Sequence, residues 1–207
     1  MPGAESFGTF RLPVLARDST TVESKDGMTR RKNCKMADFF RKQGRSLLAN
    51  GYLIVPIRPG KKAPATAEWS RSRMGADDLP RFPGHGVGVM TGQGAYPIAA
   101  IDIDAMCADL SRRFMRWCLD NLGVTCVRQG LAPKVLLPYR AKDDGWGKAT
   151  SAVFEDFFGD KQQIEVLGHG QQFVAYHIHP DTGEPYQWLD DRGGIEGVRA
   201  DQLPVIS

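Results

Sequence analysis

The chain has 207 residues, 42% hydrophobic and 25% charged, a balance that fits a soluble globular protein of one domain or one compound domain with two lobes. No apolar run approaches membrane-spanning length and no signal peptide is apparent. Cys34, Cys107, Cys118 and Cys126 include no C-x-x-C pair, which excludes a zinc ribbon or disulfide framework and points to reduced thiols in the cytoplasm.

The net charge of +3 is unevenly spread. Residues 1–45 hold 10 Lys and Arg against 5 Asp and Glu, and the remaining residues hold 17 against 19. A bulk basic surface is therefore no argument for nucleic-acid binding, and any such contact must come from a local groove.

Residues 1–35 lack sustained periodicity and read as a disordered leader or an upstream extension, with Met28 or Met36 as alternative starts. From Met36 to Asn50 the pattern is helical, with Phe39, Phe40, Leu47 and Leu48 on one stripe and Asn50-Gly51 as the stop. Strands follow at 52–57 and 86–90, then the run Ile98-Ala99-Ala100-Ile101-Asp102-Ile103-Asp104. Residues 111–122 form a second helix, expected to bury Leu110, Phe114, Trp117 and Cys118. Residues 125–128 and 134–139 flank a hairpin loop, and 163–167 and 172–177 flank a second expected hairpin at Gly168-His169-Gly170. This order predicts an α+β fold with an antiparallel or mixed sheet. Residues 191–207 read as a tail or linker.

The chemistry starts from the acids. Side chains alternate along a strand, so Asp102 and Asp104 share a face. With Glu165 on a later strand they make a candidate site for Mg²⁺ or Mn²⁺, hard cations that commonly handle phosphates. Everything turns on whether Glu165 meets the pair in space. Arg128 and Lys134 bracket a tight loop and could face a substrate's phosphates, or be two surface cations. Gly168 and Gly170 allow close backbone approach to a ligand. His177 and His179 alternate on one strand and should face one side. A zinc pair there lacks further ligands, whereas His179 touching a phosphate or sugar is consistent with the pattern. Trp69, Phe173, Tyr186 and Trp188 are candidates for base stacking or for the core. Gly60-Lys61-Lys62 lacks the frame of a phosphate loop.

The order Gly51-Tyr52…Pro56, Lys62-x-Pro64…Trp69, Gly86-Val87-Gly88-Val89-Met90-Thr91-Gly92 and Ile101-Asp102-Ile103-Asp104 resembles the bifunctional DNA primase/polymerase N-terminal domain. That domain belongs to the archaeo-eukaryotic primase superfamily of plasmids, phages and prophages. The likeness continues through Arg128-x-Gly130…Pro133-Lys134, Ile164-Glu165-Val166-Leu167-Gly168-x-Gly170-Gln171-Gln172 and His179-Pro180-x-Thr182-Gly183-x-Pro185-Tyr186-x-Trp188.

The resemblance implies a two-lobed catalytic core over residues 36–200, with a small α/β lobe at 36–95 and an RRM-like sheet at 96–190 carrying the acids. It implies template-directed nucleotide joining with Mg²⁺ or Mn²⁺ on single-stranded DNA, from nucleoside triphosphates, with a helicase in cis or in trans as a possible partner. Asp102 and Asp104 match the first acidic motif and Glu165 the third. Many relatives place a histidine between these motifs to contact the triphosphate. Here Arg128 and Lys134 stand in that interval instead. Two other readings use the same residues: a single-strand-binding module for replication initiation without chemistry, and a metal-dependent nuclease.

Overall fold

The computed structural model describes residues 38–207 except 144, 157, 158 and 190–192. The expected leader lies outside the described residues. The first helix, α1 (Phe39–Ala49), begins where the Asp38 carboxylate accepts the Arg41 backbone N–H at 3.3 Å. It buries Phe40, Gly44 and Leu47, spaced to make one helical face. Gly44 has no side chain because a Cβ there would press on Leu79 and Ile54.

Strands β1 (Ile54–Ile57) and β2 (Gly86–Met90) are buried throughout and pair antiparallel. Next come β3 (Ile98–Ala105), helix α2 (Ala108–Asn121), β4 (Arg128–Gln129) and β5 (Val135–Ala141). They are followed by β6 (Ala149–Thr150), β7 (Phe154–Glu155), β8 (Lys161–Leu167), β9 (Gln172–Tyr176), β10 (Gln187–Trp188) and β11 (Val205–Ile206). The strands make two sheets. One has three strands in the order β1-β2-β9. The other has eight, with the path β10-β4-β5-β3-β8-β6, β11 beside β5 and β7 beside β8. Among the described residues all strand pairings are antiparallel except β11 with β5. The fold is α+β, as the element order predicts.

Four expectations change. The hairpin between β4 and β5 forms, but Gly168-His169-Gly170 does not close a second one. β8 pairs with β3 in the large sheet, and β9 pairs with β2 in the small one. Two strand-like runs joined by a short glycine-containing turn look like a hairpin in sequence, yet here each joins a different sheet. The split at residue 95 is likewise not a split between sheets, because β9 completes the small sheet. Nor is the C-terminus a tail. Ile195, Ala200 and Leu203 are buried in the principal core, and Ile206 in the core beneath α2. In α2, Leu110, Phe114 and Cys118 pack inward, but Trp117 is half exposed, stacked on Phe114 at 5.6 Å between ring centroids.

Strand β3 shows how the site is placed. Its odd residues Ala99, Ile101, Ile103 and Ala105 face α2, with Leu137 and Tyr139 of β5 and Cys118. Its even residues face the other way. Ile98 and Ala100, with Leu136 of β5 and Leu167 of β8, join the core shared with α1 and the small sheet. Further along the same face the even residues become Asp102 and Asp104. The face turns from apolar to acidic at the margin of the buried core.

Candidate nucleotidyl-transfer site

The register answers the question posed by the acids. Asp102 is directly opposite Glu165 on β8, and Asp104 is opposite Gln163. Residues opposite one another in a sheet project from the same face, so all three carboxylates lie on one face. The same row continues through Leu136 to Arg128 and Trp188 on one side, and to Thr150 on the other.

Asp102, Asp104, Arg128, Lys134 and His179 line one cavity of about 240 Å³, joined there by Lys62. Glu165 stands beside Asp102 but outside that lining. Its side chain is 20% exposed and pairs with Lys148 at 2.7 Å. Asp104 pairs with Lys134 at 2.5 Å, although its Oδ1 lacks hydrogen-bond geometry. Asp102 has no ion-pair partner among the described residues. Burial pushes its carboxyl above the ordinary range, and Asp104 and Glu165 add to this against Arg128 and Lys62.

Arg128 is no surface cation. It is buried, its Nη1 donates to the Val174 carbonyl at 2.5 Å, and its guanidinium lies 4.7 Å from the Tyr186 ring centroid. It thereby ties β4 of the large sheet to β9 of the small one. Burial lowers its pKa while Asp102 opposes the shift. Its charge thus stands closer to the work of holding Asp102 than to that of reaching into solvent.

The two histidines part company. β9 ends at Tyr176, so they do not share a strand face. The His177 Nε2 bonds the Arg58 carbonyl at 3.0 Å, away from the cavity. His179 is packed on Tyr186, its ring centroid 5.1 Å away, and its Nδ1 accepts the Asp181 N–H at 3.2 Å. Burial lowers its pKa, with Lys62, Arg128 and Lys134 assisting and Asp181 opposing. A neutral imidazole accepting at Nδ1 carries its proton on Nε2, which makes it a hydrogen-bond donor.

Gly168 and Gly170 do not line the cavity. The close approach at Gly168 is made by the chain itself: a Cβ there would meet the carbonyls of Trp146 and Gly147. Gly170 has a φ of +74° with open space around it, so it serves the turn. The candidate stacking aromatics are inward. Phe173 and Tyr186 are buried, and Trp69 and Trp188 pack against the cores.

Residue-by-residue reading gave no role to Lys62, Lys148 or Asp181. Lys62 lies in an exposed turn and Lys148 in a polar loop, so periodicity carries no signal for either. Lys62 bridges to Asp181 at 3.4 Å across the cavity mouth.

Carboxylate oxygens are the donor type that a hard divalent cation takes. All three candidate ligands are carboxylates on one face, and lysine ammonium groups already hold two of them as cationic stand-ins. Among the described residues no three His, Cys, Asp or Glu side chains converge closely enough to hold an ion as they stand. Loading would require the lysines to give way.

The sequence model of the family "Bifunctional DNA primase/polymerase, N-terminal" matches residues 45–205. The chain belongs to this family. The match runs from within α1 to β11 and so takes in both sheets and the cavity between them. Membership in the primase/polymerase family points to nucleotidyl transfer, with DNA and nucleotides as the molecules handled. No curated protein matches the chain. Among the described residues no helix is long and apolar enough to cross a membrane.

Proposed function

We propose that this primase/polymerase domain makes or extends primers on a single-stranded DNA template by metal-dependent nucleotidyl transfer. The observation that carries the proposal is the register of Asp102 against Glu165, with Asp104 on the same face and four basic side chains around the adjoining cavity.

Asp102, Asp104 and Glu165 would hold Mg²⁺ or Mn²⁺. Bound divalent ions in such a site supply activation of an attacking hydroxyl and neutralisation of phosphate charge. The chain's own groups do the rest. Lys62 and Lys134 line the cavity and offer ammonium groups to the triphosphate, and His179 offers its Nε2–H. Lys148, on Glu165, is a further cation within reach of the acids. Each lysine would exchange its carboxylate partner for a phosphate when substrate arrives. Arg128 stays buried and supports the charge on Asp102. The cavity's modest volume suits one nucleotide's phosphates better than a whole duplex. A helicase partner and a cytoplasmic setting accord with this reading.

The test is primer synthesis and extension on single-stranded DNA with Mn²⁺, comparing the native chain with Asp102→Asn plus Asp104→Asn. The expected loss is about a thousandfold or more, with the fold retained. Undiminished synthesis by the double variant would defeat the assignment. A labelled primer that shortens would identify a nuclease. Strand binding indifferent to metal and triphosphate would identify a binding module.

A further inference from the structure

We infer that the segment from Arg58 to Arg73 is the track on which a single-stranded nucleic acid lies as it enters the cavity, a placement that rests on the primase reading and adds a location to it. The first observation is charge. Residues 58–73 carry five cations, Arg58, Lys61, Lys62, Arg71 and Arg73, against the single acid Glu68. Residues 74–207 carry 12 basic against 18 acidic residues. A polyanion approaching this domain meets its favourable potential at this segment.

The second observation is pairing. Several exposed cations elsewhere are neutralised at home: Arg81 by Asp78, Arg112 and Arg113 by Asp109, Arg116 by Asp120, and Arg199 by Asp201. Arg58, Lys61 and Arg71 are exposed and in no ion pair among the described residues. Unpaired exposed cations are available to phosphates without first breaking an internal bridge, and these three share one segment with Lys62 of the cavity.

The third observation is continuity. The segment folds back on β1: the Arg58 N–H bonds the Ala63 carbonyl at 3.0 Å, and the Ala65 N–H bonds the Pro56 carbonyl at 2.8 Å. The Lys62 carbonyl accepts from the Gln172 side chain at 3.0 Å, which pins the turn to β9. Lys62 points its own charge into the catalytic cavity. Trp69 anchors the far end against the buried cluster that includes Val55, Ile57 and Tyr186. A backbone lying on Arg71, Lys61 and Arg58 therefore passes the cavity wall at Lys62. Helix α1 also exposes Arg41, Lys42 and Arg45. It packs with Ile54 on the opposite face of the small sheet, away from Lys62.

The experiment uses the full chain and a fluorescein-labelled single-stranded oligodeoxynucleotide, followed by fluorescence anisotropy between about 50 and 200 mM KCl. Arg58→Ala, Lys61→Ala and Arg71→Ala together remove three phosphate contacts. The expected result is affinity lower by about tenfold and a salt slope smaller by about 2. Arg112→Ala, Arg113→Ala and Arg116→Ala, on the helix behind the sheet, remove as many cations and should leave both quantities unchanged. Equal losses in the two triple variants would mean diffuse attraction and overturn the track. So would an unchanged slope in the first variant, or a loss confined to Arg41→Ala, Lys42→Ala and Arg45→Ala. A chain that makes no primers yet loses strand affinity in the first variant keeps the track and discards the primase reading. A chain that polymerises but binds the strand equally well in that variant does the reverse.

Discussion

Arg128 was legible as a cation facing phosphates and not as a buried tie between sheets. Its neighbours in sequence give no hint that Val174 and Tyr186 will enclose it, because those contacts cross between strands 46 residues or more apart. Removing its charge while keeping its bulk, as in Arg128→Met, takes the guanidinium donor from the Val174 carbonyl and a compensating charge from Asp102. The expected cost is about 2–4 kcal/mol in urea unfolding. The acids were legible as a pair on one face by strand alternation alone. That Glu165 stands opposite Asp102 was not, since register is set by which apolar sets must be buried together. Lys62, Lys148 and Asp181 are contacts between loops, and loops carry no periodic signal.

At the scale of elements, the strands and helices were largely legible because each shows its period. β2 runs over the residues expected, and α1 and α2 shift by a few residues at their starts. Pairing was the weak point. The turn at Gly168-His169-Gly170 passes the chain from one sheet to the other, and its glycine neighbours serve packing against the Thr91–Gly94 loop. The Thr91 hydroxyl donates to the Gly168 carbonyl at 2.5 Å, and His169 Nδ1 lies 3.0 Å from the Gly92 carbonyl. Gly92 has a φ of +68°, and a Cβ there would run into the His169 backbone. Gly92→Ala therefore costs about 2 kcal/mol or more, from left-handed backbone strain and overpacking together. A thermal melt checks this, and an unchanged midpoint would contradict the packing described.

Across the whole molecule, the two sheets are locked by elements borrowed across the chain: β9 completes the small sheet, and the C-terminal segment closes both cores. Sequence order suggested lobes in succession, whereas burial of apolar surface is indifferent to order. His177 sits in this framework, between Phe39, Gly86 and the Arg58 carbonyl. Burial holds its imidazole below the usual histidine range, with the Arg58 carbonyl opposing and nearby His85 assisting. Its Nδ1 is buried without a partner, so the fold favours the neutral ring. A depressed value means that stability is full above the ordinary histidine pKa of about 6.5 and is lost as pH falls through the folded value. Unfolding free energy should decline below neutral pH by at most about 1.4 kcal/mol per pH unit from this group. His177→Gln should flatten that limb, and an identical pH profile in the variant would contradict the role.

On the proposed function, acids distant along the chain act together on one sheet face beside the cavity that would take the phosphates. The most direct measurement is anomalous diffraction from crystals holding Mn²⁺ and a nucleoside triphosphate. Mn²⁺ is expected among the carboxylates of Asp102, Asp104 and Glu165, with Lys134 and Lys148 released from their acids. Mn²⁺ bound elsewhere, with both lysine–carboxylate pairs intact, would contradict it.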